Sequence, residues 1–590
     1  MMRRFLFIFT LFVFPFFVSA QNSDEATKEK LRQETTLVEQ ILADAKNLRL
    51  PENRAFVYAK VGNALWEKDE KRARALFQNS IADLIAAQME AEAEKGKKEY
   101  LNNLIYGQSP RWEILHAIAG RDAELALEAV LKTRPVKITQ AISNLNSDNQ
   151  SRSQYYAQKE IRNEQSIIAK AIEQNPQRAV KLLRESLKKE LSYDIVNQLR
   201  KLHQKDPETA NELAETVGQN LLATKFDEHR QDTSLLQNFL VEFGHVKTPE
   251  NAAMLKVPDS LVRDLADKLV KFLLRPSATS FYANSSAIKI VERFFPASVQ
   301  QIKQKQAKFE NQNGQSESFN KLMNGEASPE ELLSQADKYS EHLRNQIYRR
   351  AAEKTAQSGN VPEAQKIIAA NMSEEESDSY LSQFNSQLAS QAVSQGKFNE
   401  ANQFIDQIKD EDSKLNGLIN LATSIYEKTP QENQKWAASV LDQARALVPN
   451  MPETISEMNY LAQIAAAYAQ IDSSEGFRLI ESLTAPLNEY FEASAIVAKF
   501  SDYGNFRQGE YQISSNSLPF AYSLTNVLQK LKSKDFDRTL LFINAFNRLD
   551  TRIGLQIQML DWNISMGNAR GTFIISGRKR AQFDRMVEVF

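Results

Sequence analysis

The apolar positions of this chain fall mainly three and four residues apart, the spacing of helices, and the helices are opened by a phrase that repeats. Gly359-Asn360-Val361-Pro362-Glu363-Ala364 returns 37 positions later as Gly396-Lys397-Phe398-Asn399-Glu400-Ala401. In each copy a small residue stands four positions after the polar opener and an apolar residue seven positions after it, so both lie on one face of the helix that follows. The pattern also occurs at Asp69/Ala73/Leu76, Asp122/Ala126/Ala129, Asn175/Ala179/Leu182 and Asp206/Ala210/Leu213. It recurs at Asn360/Ala364/Ile367, Lys397/Ala401/Phe404, Asn433/Ala437/Val440 and Asp472/Gly476/Leu479, in steps of 37, 36 and 39 residues. Asp or Asn at such a point caps the N–H groups of a new helix, and the small residue lets that helix approach its partner closely. Pro176 and Pro207 fit the first helical position, where no N–H is needed. Ser328-Pro329-Glu330-Glu331 and Thr429-Pro430-Gln431-Glu432 have the pattern of capping boxes. A period of this length predicts an all-α fold, an α-solenoid of stacked antiparallel helix hairpins with little or no sheet.

Stretches rich in Asn, Gln and Ser divide the helical blocks. The expected organisation is a leader at 1–20, a helical block at 21–142, a polar loop at 143–166 and a second block at 167–303. A polar linker at 304–326 follows, then the clearest repeats at 327–500, a loop at 501–519 holding Gly504, Gly509 and Pro519, and C-terminal helices with a tail at 520–590. Within that tail Gly571 to Gly577 reads equally as a strand or as an extended segment.

Composition supports the helical reading: 18 glycines and 17 prolines in 590 residues are about half the usual share, too few for the turns that many strands need. Met1 to Ala20 has the parts of a secretory leader, namely Arg3-Arg4, an apolar run from Phe5 to Val18, and the small-residue ending Val18-Ser19-Ala20. The expectation is export to a periplasmic or extracellular location with cleavage after Ala20; a short uncleaved anchor is the alternative. No later run is long enough to span a bilayer. The chain has no cysteine, which excludes disulfides, thiolate metal sites and a thiol nucleophile. Without the leader, 71 basic residues face 75 acidic ones, a balance that implies neither a nucleic-acid partner nor an anionic-membrane binder.

The segment Gln395 to Ile408, QGKFNEANQFIDQI, resembles the phrase that introduces the second helix of tetratricopeptide repeats. Ala352 and Ala389 stand where that family places a small residue in its first helix. The resemblance covers 327–485 and departs from the family in two respects. The steps exceed the family's period of about 34, and Thr355 and Ala392 occupy positions of a large aromatic. It implies a right-handed α-solenoid and a scaffold that binds segments of other proteins along one face of its first helices. That face would carry Gln346, Arg349, Glu353 and Gln357, then Gln383, Ser386, Ser390 and Ser394.

Chemistry is harder to find. His116, His203, His229, His245 and His342 are scattered, with no pair at the spacing of two ligands on one helical face, and read as structural. Ser-x-x-Lys at Ser186/Lys189, Ser286/Lys289 and Ser394/Lys397 lacks the companion motifs of serine acyl-enzymes and reads as coincidence. The acidic runs Glu374 to Glu376 and Asp410 to Asp412 read as solvated starts of helices, with a cation-binding edge as the alternative, and Arg578-Lys579-Arg580 as a solvated tail. Phe77, Trp66, Trp112, Trp436, Phe404 and Phe477 read as core. The sequence implies no catalytic residue, metal ligand or cofactor. The expected function is an exported, non-enzymatic repeat scaffold that binds a protein or peptide. One rival is an all-helical toroid hydrolysing polysaccharide or peptide, and another is a structural component of the cell envelope.

Overall fold

A computed structural model describes residues 16–93, 110–143, 152–188, 191–192, 194–224, 230–244, 257–275, 285–312, 319, 322–500, 506–514 and 521–560. Residues 1–15 of the expected leader, the 571–577 patch, the basic run at 578–580, His229 and His245 lie outside them. The helices are α1 (Phe16–Ala45), α2 (Pro51–Leu65), α3 (Glu70–Ala93), α4 (Arg111–Ala119), α5 (Ala123–Lys132), α6 (Val136–Ser143), α7 (Arg152–Gln174), α8 (Pro176–Leu187), α9 (Ile195–His203) and α10 (Pro207–Ala223). They continue as α11 (Arg230–Phe243), α12 (Asp259–Leu273), α13 (Ser285–Phe294), α14 (Pro296–Gln312), α15 (Pro329–Gln335), α16 (Glu341–Gln357), α17 (Val361–Asn371), α18 (Glu374–Ser394), α19 (Phe398–Asp406), α20 (Glu411–Lys428), α21 (Pro430–Ala446) and α22 (Ile455–Ile471). The last are α23 (Ser473–Ser482), α24 (Thr484–Phe500), α25 (Ala521–Lys532), α26 (Phe536–Asn544) and α27 (Leu549–Leu560). The chain is an all-α solenoid of helix pairs, divided into two units: Ile81–Gly476, and Met1–Ser80 together with Phe477–Phe590.

In the unit spanning Ile81 to Gly476, neighbours in sequence pair, α7 with α8, α9 with α10, α16 with α17, α18 with α19 and α20 with α21. The openers cap as their spacing predicts: Asp122, Asn175, Asp206 and Asn360 each accept a hydrogen bond from the N–H three residues on. The small residues that follow are fully buried, Ala126, Ala210, Ala364 and Ala401 all at 0% exposure. A side chain on Gly476 would press to 2.8 Å from the Ala469 nitrogen, so only glycine fits that crossing. Gly359 and Gly396 end their helices in the left-handed region, φ 93° and 72°. There the next N–H, of Asn360 or Lys397, returns to the carbonyl of Thr355 or Ala392. Ser328 forms the expected capping box.

Five expectations need correcting. Asn433 does not open a helix: α21 begins at Pro430, and Asn433 turns its amide back to Ile425 and Thr429. Thr429 itself makes no side-chain cap, although Ala437 and Val440 are buried as the pattern requires. The polar stretch 143–166 is largely helix, since α7 starts at Arg152. Its polarity is internal: Glu160 and Glu164 are buried and take Arg111 and Arg134 in a bonded cluster at 2.5 to 3.2 Å. The linker at 304–326 likewise begins with helix, through Gln312. Trp436 is not core; it is exposed, with one edge against Phe398.

A further regularity joins the pairs. The last carbonyls of a helix have no partner within it, and here a long side chain from a later helix supplies one. Lys170 reaches the His116 carbonyl at 3.1 Å and Gln174 that of Ala119 at 3.1 Å. Lys268 serves Leu221 and Leu222 at 2.8 and 2.6 Å and Thr224 as well, and Lys305 serves Leu273 and Arg275. Burial lowers the pKa of Lys170, Lys268 and Lys305.

In the other unit α1 and α2 both pack on α27. Within the expected loop at 501–519 lies a short antiparallel hairpin, β1 (Phe506–Arg507) and β2 (Glu510–Tyr511), turned by Gln508 and Gly509 at φ 52° and 84°. Side chains from α2, α27 and their flanks hold it. The Glu510 carboxylate accepts from the N–H groups of Arg49 and Leu50 at 2.7 and 3.1 Å. The Arg507 Nη2 group donates to both Glu52 oxygens at 2.7 and 2.9 Å, and Asp550 accepts from the Tyr511 N–H at 2.7 Å. Asn53, fully buried, donates to the Tyr511 carbonyl at 2.8 Å and accepts from the Ile513 N–H at 2.7 Å.

Candidate functional site

The two polar stripes lie on α16 and α18, the first helices of successive pairs, and the structure draws only part of them together. The Arg349 guanidinium stands 4.5 Å over the Tyr380 ring, and Glu353 accepts from the Tyr380 hydroxyl at 3.5 Å and from Arg350 at 3.3 Å. Burial, then the Glu353 carboxylate, raises the pKa of the Tyr380 hydroxyl. This trio is a brace between neighbouring helices. Gln346 bonds His342 on its own helix, and Gln357, Gln383, Ser390 and Ser394 face solvent, Ser394 donating to the Gln391 carbonyl. Ser386 tucks its hydroxyl into the interior without a hydrogen bond.

A shallow depression of about 300 Å3 lies elsewhere on these pairs, among α17, α18 and the residues that follow α19. Its position follows from the repeat. Asn360 caps α17 and Ala364 packs it, so Gln365, the next residue, turns toward α18. Ser382 and Asn385, three apart on one face of α18, are 4% and 3% exposed and line the floor. Gln365 donates to the Asn385 side-chain oxygen at 2.9 Å and to that of Gln407 at 2.7 Å. The Ser382 hydroxyl oxygen accepts from the Asp410 N–H at 3.3 Å, which fixes the start of α20. Lys366 and Lys409 stand at the rim, each with a carboxylate of its own: Glu363 at 4.0 Å and Asp378 at 2.8 Å. The charges are balanced in pairs, and what the floor offers is amide and hydroxyl hydrogen bonding.

The sequence reading, aimed at the first helices, missed Gln365, Asn385 and Gln407. A signal existed for two of them. Gln365 and Asn402 both follow the buried alanine of the phrase, and Asn385 interrupts an apolar stripe of Leu381, Phe384 and Leu388. The acidic runs stand at helix starts, where Ser373 and Asp410 cap α18 and α20. Among the described residues no group of three potential metal ligands comes together, and no helix is long and apolar enough to cross a membrane.

No family model matches the chain, and no curated protein matches it. Among solved structures it is similar to a protein described as a circular tandem repeat protein with novel repeat topology and enhanced subunit contact surfaces. That similarity is at 14% identity over 94% of this chain and 99% of that one, with a TM-score of 0.18, and a likeness of that order carries no argument here. The chain is a helical-repeat protein.

Proposed function

We propose that this protein is an exported, non-enzymatic repeat scaffold that holds a protein or peptide partner at the depression beside α18. The observation that carries the reading is the pair of polar side chains, Ser382 and Asn385, kept more than nine-tenths buried yet lining a surface hollow. A buried amide costs free energy unless its bonds are made, so a site that keeps one at an opening suits a ligand with hydrogen bonds to exchange. Export rests on the leader pattern of Met1 to Ala20. The test is a pull-down from the exported fraction with tagged mature protein, run beside Asn385→Leu, followed by calorimetry on the partner recovered. A partner bound by the wild type and lost by a variant of unchanged melting supports the reading. Equal recovery by both removes the depression as the site.

A further inference from the structure

We infer that the depression recognises extended polypeptide main chain, whatever its side chains; the inference rests on the reading of the depression as a partner site. The chain displays the required chemistry on itself. Asn53, a buried asparagine on α2, grips its own extended segment by donating to the Tyr511 carbonyl and accepting from the Ile513 N–H, two residues further on. One planar amide thereby satisfies one acceptor and one donor of a strand, which is what every extended segment presents. Asn385 is likewise a buried asparagine on a helix, and it lines an opening. In the depression Asn385 and Gln407 both use their oxygens to accept from Gln365. Each of these amides also carries an NH2 donor, and each oxygen has a second lone pair. Donor and acceptor stand side by side, matching a peptide group and not an anion alone. Charge contributes little, because Lys366 and Lys409 already face Glu363 and Asp378. Ala369 and Leu381 give the hollow an apolar edge against which a partner residue can lie.

The experiment uses the mature full-length protein and three probes: a capped, neutral octapeptide of alternating Thr and Ala, its fully N-methylated counterpart, and an analogue with Glu in place of Thr. Binding is followed through the side-chain amide signals of Asn385 in nuclear magnetic resonance and by fluorescence anisotropy. The neutral peptide should bind with an affinity that changes less than about twofold between low and high salt. N-methylation, which removes the N–H donors, and Asn385→Leu should each weaken it about tenfold or more. Binding that requires Glu and falls steeply with salt, yet is lost in Asn385→Leu, would overturn main-chain recognition and leave the depression as the site. Equal binding of the N-methylated peptide would do the same. Binding of every peptide unchanged by Asn385→Leu would overturn both, and absence of binding by the neutral peptide would overturn the main-chain inference alone.

Discussion

Acid should weaken this fold through one histidine. His116 lies in the last turn of α4, where a helix C-terminus ordinarily favours a positive imidazole. That place is taken: the Lys170 ammonium donates to the His116 carbonyl at 3.1 Å, and the Trp112 ring lies 6.0 Å away. Burial first, and the Lys170 charge second, push the imidazole pKa from 6.5 down to about 4. Glu173 on α7 does not compensate, since Lys201 holds it at 2.8 Å. The unfolded chain therefore binds a proton near pH 6.5 that the folded chain refuses until about pH 4, so stability falls as pH falls through that window. A shift of this size corresponds to about 3 kcal/mol when complete, of which about 2 kcal/mol is lost by pH 5. His116→Gln removes the titration and keeps a polar side chain. The direct assay is proton–carbon correlation of the imidazole signals during titration. One signal should turn over near about pH 4 and be missing from the variant. Urea unfolding at pH 7 and pH 5 should show the variant losing about 2 kcal/mol less than wild type. Parallel losses in the two proteins, or a His116 midpoint near its ordinary value, would refute the reasoning.

Other consequences are simpler to state. Ala401→Phe should overpack the crossing of α19 with α18 and cost about 1 to 3 kcal/mol, so a variant melting at the wild-type temperature counts against the repeat alignment. Lys268→Met strips the donor from the carbonyls of Leu221, Leu222 and Thr224 and should cost about 2 kcal/mol by thermal melting. Arg349→Ala with Gln383→Ala tests the first-helix face: partner affinity should persist, because Arg349 braces Tyr380 and Gln383 only faces water. On the proposed export, the sequence of the protein recovered outside the cytoplasm should begin at Gln21, as read by N-terminal sequencing.

What the sequence discloses and what it hides separate by range. Caps, buried alanines and left-handed glycines are local, set by residues within one turn, and Asn360, Ala364 and Gly359 declared themselves. One copy escaped even so. Asp535 caps α26 by the same rule, but Thr539 takes the place of the small aliphatic residue. The failures are mostly long-range. Glu160 and Glu164 look like loop residues until Arg111, 49 positions from Glu160, and Arg134, 30 positions from Glu164, are brought beside them. Asn385 looks like a flaw in an apolar stripe until Gln365 meets it from another helix. Polar residues are ambiguous in a sequence because solvent and a buried partner satisfy them equally, and only the fold says which is present.

The unit built from both ends of the chain carries that argument furthest. Terminal repeats of a solenoid leave an apolar face uncovered unless something caps it. Here α1 and α2, from one end of the sequence, bury against α27 from the other. The same exchange occurs in the hydrogen bonds. The residue before α2 is Leu50, which has no side-chain acceptor for the first N–H groups of that helix, and by its own sequence α2 is an uncapped helix. Glu510, 460 positions from Leu50, accepts from the N–H groups of Arg49 and Leu50 and so fixes the backbone that leads into α2, and in return Glu52 and Asn53 of α2 hold the hairpin that carries Glu510. Neither segment is locally complete. A hairpin of two residues per strand is marginal alone, and an uncapped helix start is weak alone. Each corrects the other's deficit, so the pairing is cooperative: what stabilises α2 and what stabilises the hairpin are the same bonds. That reciprocity is why a helix start which is read locally at Asn360 has to be read across the whole sequence at Leu50.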